Sequence, residues 1–170
     1  MFSLIQAAID IALWRAGPQR LPASRFLVIC LAAFYSVVSS VQLVLLGRQF
    51  PDVLILIALD VGVMSAWTWL LLRFFNKQQR LLQTLAAIFA VQSLLALIDI
   101  GARVLMLLAA GTAKLPVIGE FLSLLAFLVL VGRILALAID RSVLIGVPLM
   151  IAIAYSTLAL AQYAVPDAAG

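Results

Sequence analysis

The sequence predicts an all-α, polytopic membrane protein: a five-helix transmembrane bundle with an N-terminal amphipathic helix at the membrane interface. Of its 170 residues, 66% are hydrophobic and only 11% are charged, against roughly 45–50% and about 25% in soluble domains. Mean hydropathy is +1.25. The apolar residues also fall into five runs, each reaching the roughly 20 residues that a helix needs to cross about 30 Å of hydrocarbon. In lipid a backbone must satisfy its own hydrogen bonds, so runs of this length are helices.

Residues 1–170 read as one membrane domain. Its first part, 1–16, is the expected interfacial helix. In MFSLIQAAIDIAL, Phe2, Ile5, Ile9, Ala12 and Leu13 recur at helical spacing, while Ser3, Gln6 and Asp10 form a narrow polar strip. Trp14 and Arg15 follow, and Gly17 and Pro18 end the helix. The segment lacks a basic leader and a cleavage site, which argues against a signal peptide. It suits a helix lying in the headgroup layer, or one packed on the bundle.

The spans are expected at 26–46, 53–72, 81–110, 117–139 and 143–164. Pro22 blocks a helix running into the first of them, and Ser24 is positioned to cap its start. The connectors are short: GRQFPD, RFFNKQQR, GTAKLP and DRS. Pro148 lies early in the fifth span and removes one backbone hydrogen bond there.

Charge gives the orientation. With the N-terminus in the cytoplasm, eight basic residues fall inside: Arg15, Arg20, Arg25, Arg73, Lys77, Arg80, Arg133 and Arg141. Three fall outside: Arg48, Arg103 and Lys114. The bias follows the positive-inside rule and leaves the C-terminus external. It also accounts for the net charge of +4 without nucleic acid, because no basic stripe or aromatic platform accompanies it. Arg133 is expected to reach the cytoplasmic headgroups. RFFNKQQR reads as a positive-inside loop that also suits anionic lipid. Trp67, Trp69, Phe74 and Phe75 at one level and Tyr163 at the other suit interfacial belts.

A few polar residues interrupt the spans. In LIDIGARVLMLLA, Asp99 and Arg103 stand four apart, about 40° apart in projection, and can pair. Asp99 lies about 27 Å along a helix that begins at Leu81, near the outer interface. Gln92 shares that face two turns deeper, with Ala96 between. Such a stripe should face protein, not lipid. Asp60 lies about 10 Å below the outer edge of the second span, and Glu120 begins the fourth on the same side. Asp60, Gln92, Asp99, Arg103 and Glu120 are therefore the candidate site, expected as one intramembrane polar cluster. Three roles suit it: a polar knot that sets helix register, an ion, proton or solute site, or a docking surface. On the first span, Ala32, Ser36 and Ser40 form a small-residue face suited to close packing within the chain or against a second copy.

Several functions are not expected. The chain has no histidine and one cysteine, Cys30, which excludes His-based triads, His-ligated zinc or haem, and an internal disulfide. No phosphate-binding loop, nucleophile elbow or metal-ligand spacing appears, so neither catalysis nor a cofactor is expected. The inverted repeat of a self-sufficient transporter is also missing.

The N-terminal amphipathic helix, the connector GPQRLPASRF and five closely spaced spans resemble the Yip-type membrane proteins, especially small bacterial members. RLLQTLAAIFA at 80–90 and RILALAIDRSVLIGV at 133–147 are similar to theirs. The resemblance implies a five-span helical protein of the bacterial cytoplasmic membrane, with no catalytic residues to carry over. Eukaryotic members are associated with membrane trafficking and small GTPases; without a long acidic or proline-rich tail, GTPase binding is not expected here. The expected function is a non-catalytic scaffold, assembly or membrane-organising factor, partnered by the bilayer and by another membrane protein or a second copy. The alternative is a small transporter or channel component that uses the outer polar cluster.

Overall fold

The computed structural model describes residues 6, 10, 11, 15, 17–111 and 116–165. Most of the expected interfacial helix lies outside them, as does Lys114. Five long helices follow a short 3-10 turn at Pro18–Arg20: α1 Arg25–Leu45, α2 Phe50–Phe74, α3 Leu81–Ala110, α4 Val117–Ala138 and α5 Val143–Ala164. All five are long and apolar enough to cross a membrane, and no strand occurs among the described residues. The protein is an all-helical polytopic membrane protein.

The helix ends follow from local chemistry. Ser24 caps α1, its hydroxyl accepting from the Leu27 amide at 3.4 Å. Pro51 stands in the first turn of α2, where a missing amide costs nothing. α2 and α4 each terminate in a left-handed residue, Asn76 and Asp140, both at φ 55°. The amides of Lys77 and Arg141 then bond back to the carbonyls of Leu72 and Ala136 at 2.7 and 2.9 Å. This six-to-one closure satisfies carbonyls that the helix end would otherwise leave open. Gly47 does the same after α1 at φ 80°, where a side chain would strain the backbone.

α3 is the central helix. In its most apolar stretch 61% of residues are buried, against 11–33% in the other four. Residues 84–93 are buried without a break, including Thr84, Gln92 and Ser93. α1 packs chiefly on α3, and α4 chiefly on α5; α2 touches α1, α3 and α5. The core joins Met64 and Leu71 of α2, Ala86, Ala87, Ile88 and Val91 of α3, Val131, Ile134 and Leu135 of α4, and Met150 and Ile153 of α5. Outward faces carry large apolar side chains such as Phe26, Ile29, Leu108, Phe121 and Leu144, as lipid contact requires.

One end of the bundle is closed tightly. Gly132 of α4 and Gly146 of α5 meet backbone to backbone: a Cβ on Gly146 would lie 2.0 Å from the Gly132 carbonyl oxygen and 2.7 Å from the Ala136 Cβ. Such small-residue contacts let membrane helices gain dispersion energy that lipid cannot match. At the same end Asp140 receives Arg80 at 2.6 Å and Lys77 at 2.7 Å. Arg80 also donates to the carbonyls of Leu137 and Ala138. These hydrogen bonds, Arg80 first, hold the Asp140 carboxyl down to about 2, so it stays charged at neutral pH. Two basic groups of RFFNKQQR are thus engaged within the protein instead of being left to lipid.

Two further expectations change here. Arg133 does not simply reach for headgroups: its Nη1 donates to the Ile11 carbonyl at 3.0 Å. Ile11 is 1% exposed and joins the core, so at this position the N-terminal segment packs on the bundle. Trp67 is not a belt residue either, because its indole N–H donates to Ser156 Oγ of α5 at 3.0 Å. Trp69, by contrast, stays exposed with Arg73 5.1 Å above its ring.

Replacing Gly146 with Leu should force α4 and α5 apart at a cost of about 1–3 kcal/mol or more. Gly62→Ala, at an exposed position with nothing within 4 Å, should leave stability unchanged or raise it slightly. Thermal melting of the two variants in detergent checks the contrast; equal melting temperatures would remove the glycine contact from the account.

Candidate intramembrane polar site

At the opposite end of the bundle α1, α3 and α4 enclose a cleft of about 290 Å³. Its polar groups come from three helices. Asp99 and Arg103 stand one turn apart on α3, and the Arg103 Nε donates to Asp99 Oδ2 at 2.6 Å. Both residues are buried, at 5% and 3% exposure. The same guanidinium extends Nη2 to α4, where it donates to Glu120 Oε1 and Oε2 at 3.0 and 3.1 Å. From α1, Gln42 Nε2 donates to Asp99 Oδ2 at 2.6 Å. Asp99 Oδ2 thus accepts from a side chain of its own helix and from one of α1.

The depth of these groups differs. The Glu120 side chain is 48% exposed in the first turn of α4, while the Asp99 side chain is 3% exposed. Arg103 therefore links a carboxylate near the surface to one inside. A charge at the centre of a bilayer costs roughly 2.5–3.5 kcal/mol on insertion scales. Pairing across two helices, near one end of the span, is what makes these charges tolerable.

Of the five candidates, Gln92, Asp99, Arg103 and Glu120 line this one cleft. Asp60 does not join it, and the single cluster expected from the sequence is corrected accordingly. Asp60 Oδ2 instead accepts from the Tyr35 hydroxyl at 2.5 Å, in a second hollow between α1 and α2 that Ser39, Leu56 and Ile57 help to line. The separation arises on α1. Tyr35 and Gln42 border both hollows, so α1 stands between the carboxylate of α2 and that of α3 and offers a donor to each.

Tyr35 and Gln42 are the site residues that sequence reasoning missed. They are seven apart, two turns along one face of α1, and that spacing was the available signal. The neighbouring serines drew attention in their place. Ser36 and Ser40 return their hydroxyls to the carbonyls of Ala32 and Ser36 at 2.8 and 2.7 Å, a local bond that silences their polarity within the helix. Both are half-buried.

Three polar atoms in the cleft region meet no protein partner. They are Asp99 Oδ1 and both amide atoms of Gln92, whose side chain is buried at 2% exposure. Leu95, Ala96, Leu124 and Phe127 supply an apolar wall. Among the described residues no group of three His, Cys, Asp or Glu is placed to hold a metal ion. No family model, no curated protein and no solved structure matches this chain.

Arg103→Gln should leave the Asp99 carboxylate buried with Gln42 alone and cost about 3–5 kcal/mol, as removal of one partner of a buried pair does. Asp60→Asn keeps an acceptor for Tyr35 and should cost much less. Folded yield and melting temperature distinguish the two; a harmless Arg103→Gln would show that the guanidinium does not hold the helices.

Proposed function

We propose that this chain is a non-catalytic integral membrane protein that organises or assembles other membrane components through its helix faces. The observation that supports this most is where the intramembrane charge goes. Arg103 is engaged by Asp99 and Glu120, and Asp60 by Tyr35. These ties face inward, and broad apolar faces turn outward. The face of α1 that carries Phe26, Ile29, Phe34, Val37 and Val41 is exposed along most of the helix. A second membrane helix, from another protein or a second copy, can pack there beside the half-buried small residues Ala32, Ser36 and Ser40. A Yip-type relationship, proposed from the sequence resemblance alone, is part of this reading.

We place the protein in the cytoplasmic membrane of a bacterium, with the end that carries Lys77, Arg80 and Arg141 toward the cytoplasm and the Glu120 end outside. A fluorescent reporter inserted at 140–142 should light up, and a phosphatase inserted at 111–116 should be active; the reverse pattern would invert the orientation. For the organising role, extraction in mild detergent followed by native mass spectrometry should give a stoichiometric assembly that dissociates in the Ser36→Leu, Ser40→Leu double variant. A monomer from intact membranes would overturn it.

A second reading, a small transporter or channel component, draws on the unpartnered Gln92 amide and Asp99 Oδ1 in the outer cleft. Solute or proton flux in proteoliposomes, lost on Asp99→Asn, would replace the organising role with this one.

A further inference from the structure

We infer that the cleft between α1, α3 and α4 is a binding site for a primary ammonium group, with Asp99 and Gln92 as the receiving side chains. This deepens the second reading by naming a ligand class, and it stands whether or not the ligand is moved.

The charge balance of the cleft comes first. Among the described residues two carboxylates, Asp99 and Glu120, share one guanidinium, that of Arg103. Arg103 engages Oδ2 of Asp99, while Oδ1 is buried with no protein partner. Gln92 is the independent observation. The residue is 2% exposed and lines the cleft, and its amide has both Oε1 and Nε2 without a protein partner. Buried polar groups are nearly always hydrogen-bonded, and an orphaned one costs about 1–3 kcal/mol. Two such groups lining one cleft mark a place where a ligand completes the bonding.

The pattern of donors and acceptors selects the ligand. An ammonium group carries three N–H donors and no acceptor. Two residues that line the cleft hold unpartnered acceptors, Asp99 Oδ1 and Gln92 Oε1. Gln92 Nε2 remains as a donor, so the ligand should carry an acceptor oxygen beside its amine. At about 290 Å³ the space far exceeds a bare ion and lies at the small end of ligand pockets. Leu95, Leu124 and Phe127 on the other wall suit a short hydrocarbon stem. An amino alcohol meets each requirement. Two sources share that chemistry: a free amine, and the ethanolamine headgroup of a phospholipid in the adjoining leaflet.

The test uses the full chain and two probes. Ethanolammonium chloride is added to the detergent-solubilised protein, with choline, which has no N–H, as the control. Nanodiscs of phosphatidylethanolamine are compared with nanodiscs of phosphatidylcholine. At about ten times the dissociation constant a rise in melting temperature of ~4 °C is expected. Gln92→Leu is the decisive variant. It removes an orphaned amide, so it should fold at least as well as the parent, yet lose the rise. Asp99→Asn, if it folds, should lose it too. A rise with the free amine only, or with the lipid only, identifies the source and supports the site. No rise with either probe, an equal rise with choline, or a rise retained in Gln92→Leu would overturn it. Because melting reports binding alone, a protein that binds without flux keeps the site and removes only the transport reading.

Discussion

A guanidinium inside a membrane bundle must find anions, and Arg103 finds one on its own helix and one on the next. That constraint organises this half of the molecule. Arg103 ties α3 to α4 through Glu120, and Asp99, held by the same guanidinium, draws Gln42 from α1. Each contact shields a group that lipid would reject. α3 carries two of these charges, and its polar stripe meets α1 and α4, while its central burial lies in the largely apolar stretch 84–93.

The two ends of the bundle are closed by different physics. At the basic end Gly132 and Gly146 let two backbones touch, and the connectors are clasped by Arg80, Lys77 and Asp140. α4 is accordingly buried at Val131, Ile134 and Leu135 and exposed at Val117, Ile118 and Phe121. At the other end the contacts are made by the tips of long side chains. Arg103, Glu120 and Gln42 bridge α3 to α4 and α1 there, and the cleft lies among these three helices.

This division bears on function. The proposed organising role calls for a packed interior and apolar outward faces, and both are present among the described residues. The cleft is the part that such a role does not require. Its buried amide has no structural use in the fold, and a leucine there would pack with Leu95 and Ile88 at no polar cost. A group that weakens the fold yet lines a cavity is better explained by what enters the cavity.

Much of this was legible in the sequence. Five apolar runs set five helices because a backbone in hydrocarbon has no other way to pair, and the observed bounds differ from the expected ones by three residues at most, at the start of α2. The Asp99–Arg103 pair followed from a spacing of four, and the inward face of Gln92, Ala96 and Asp99 from their common side of α3. The rest depended on how helices meet, which spacing along one helix cannot state. Asp60 and Asp99 were expected in one cluster, but only the packing decided that α1 runs between them, with Tyr35 answering one and Gln42 the other. Nothing in VGRIL and LIGV alone showed that their glycines touch. Local hydrogen bonding and hydropathy belong to single segments and are written in the chain; which side chain faces which across a gap between helices is decided by the tertiary arrangement, and the site is built in those gaps.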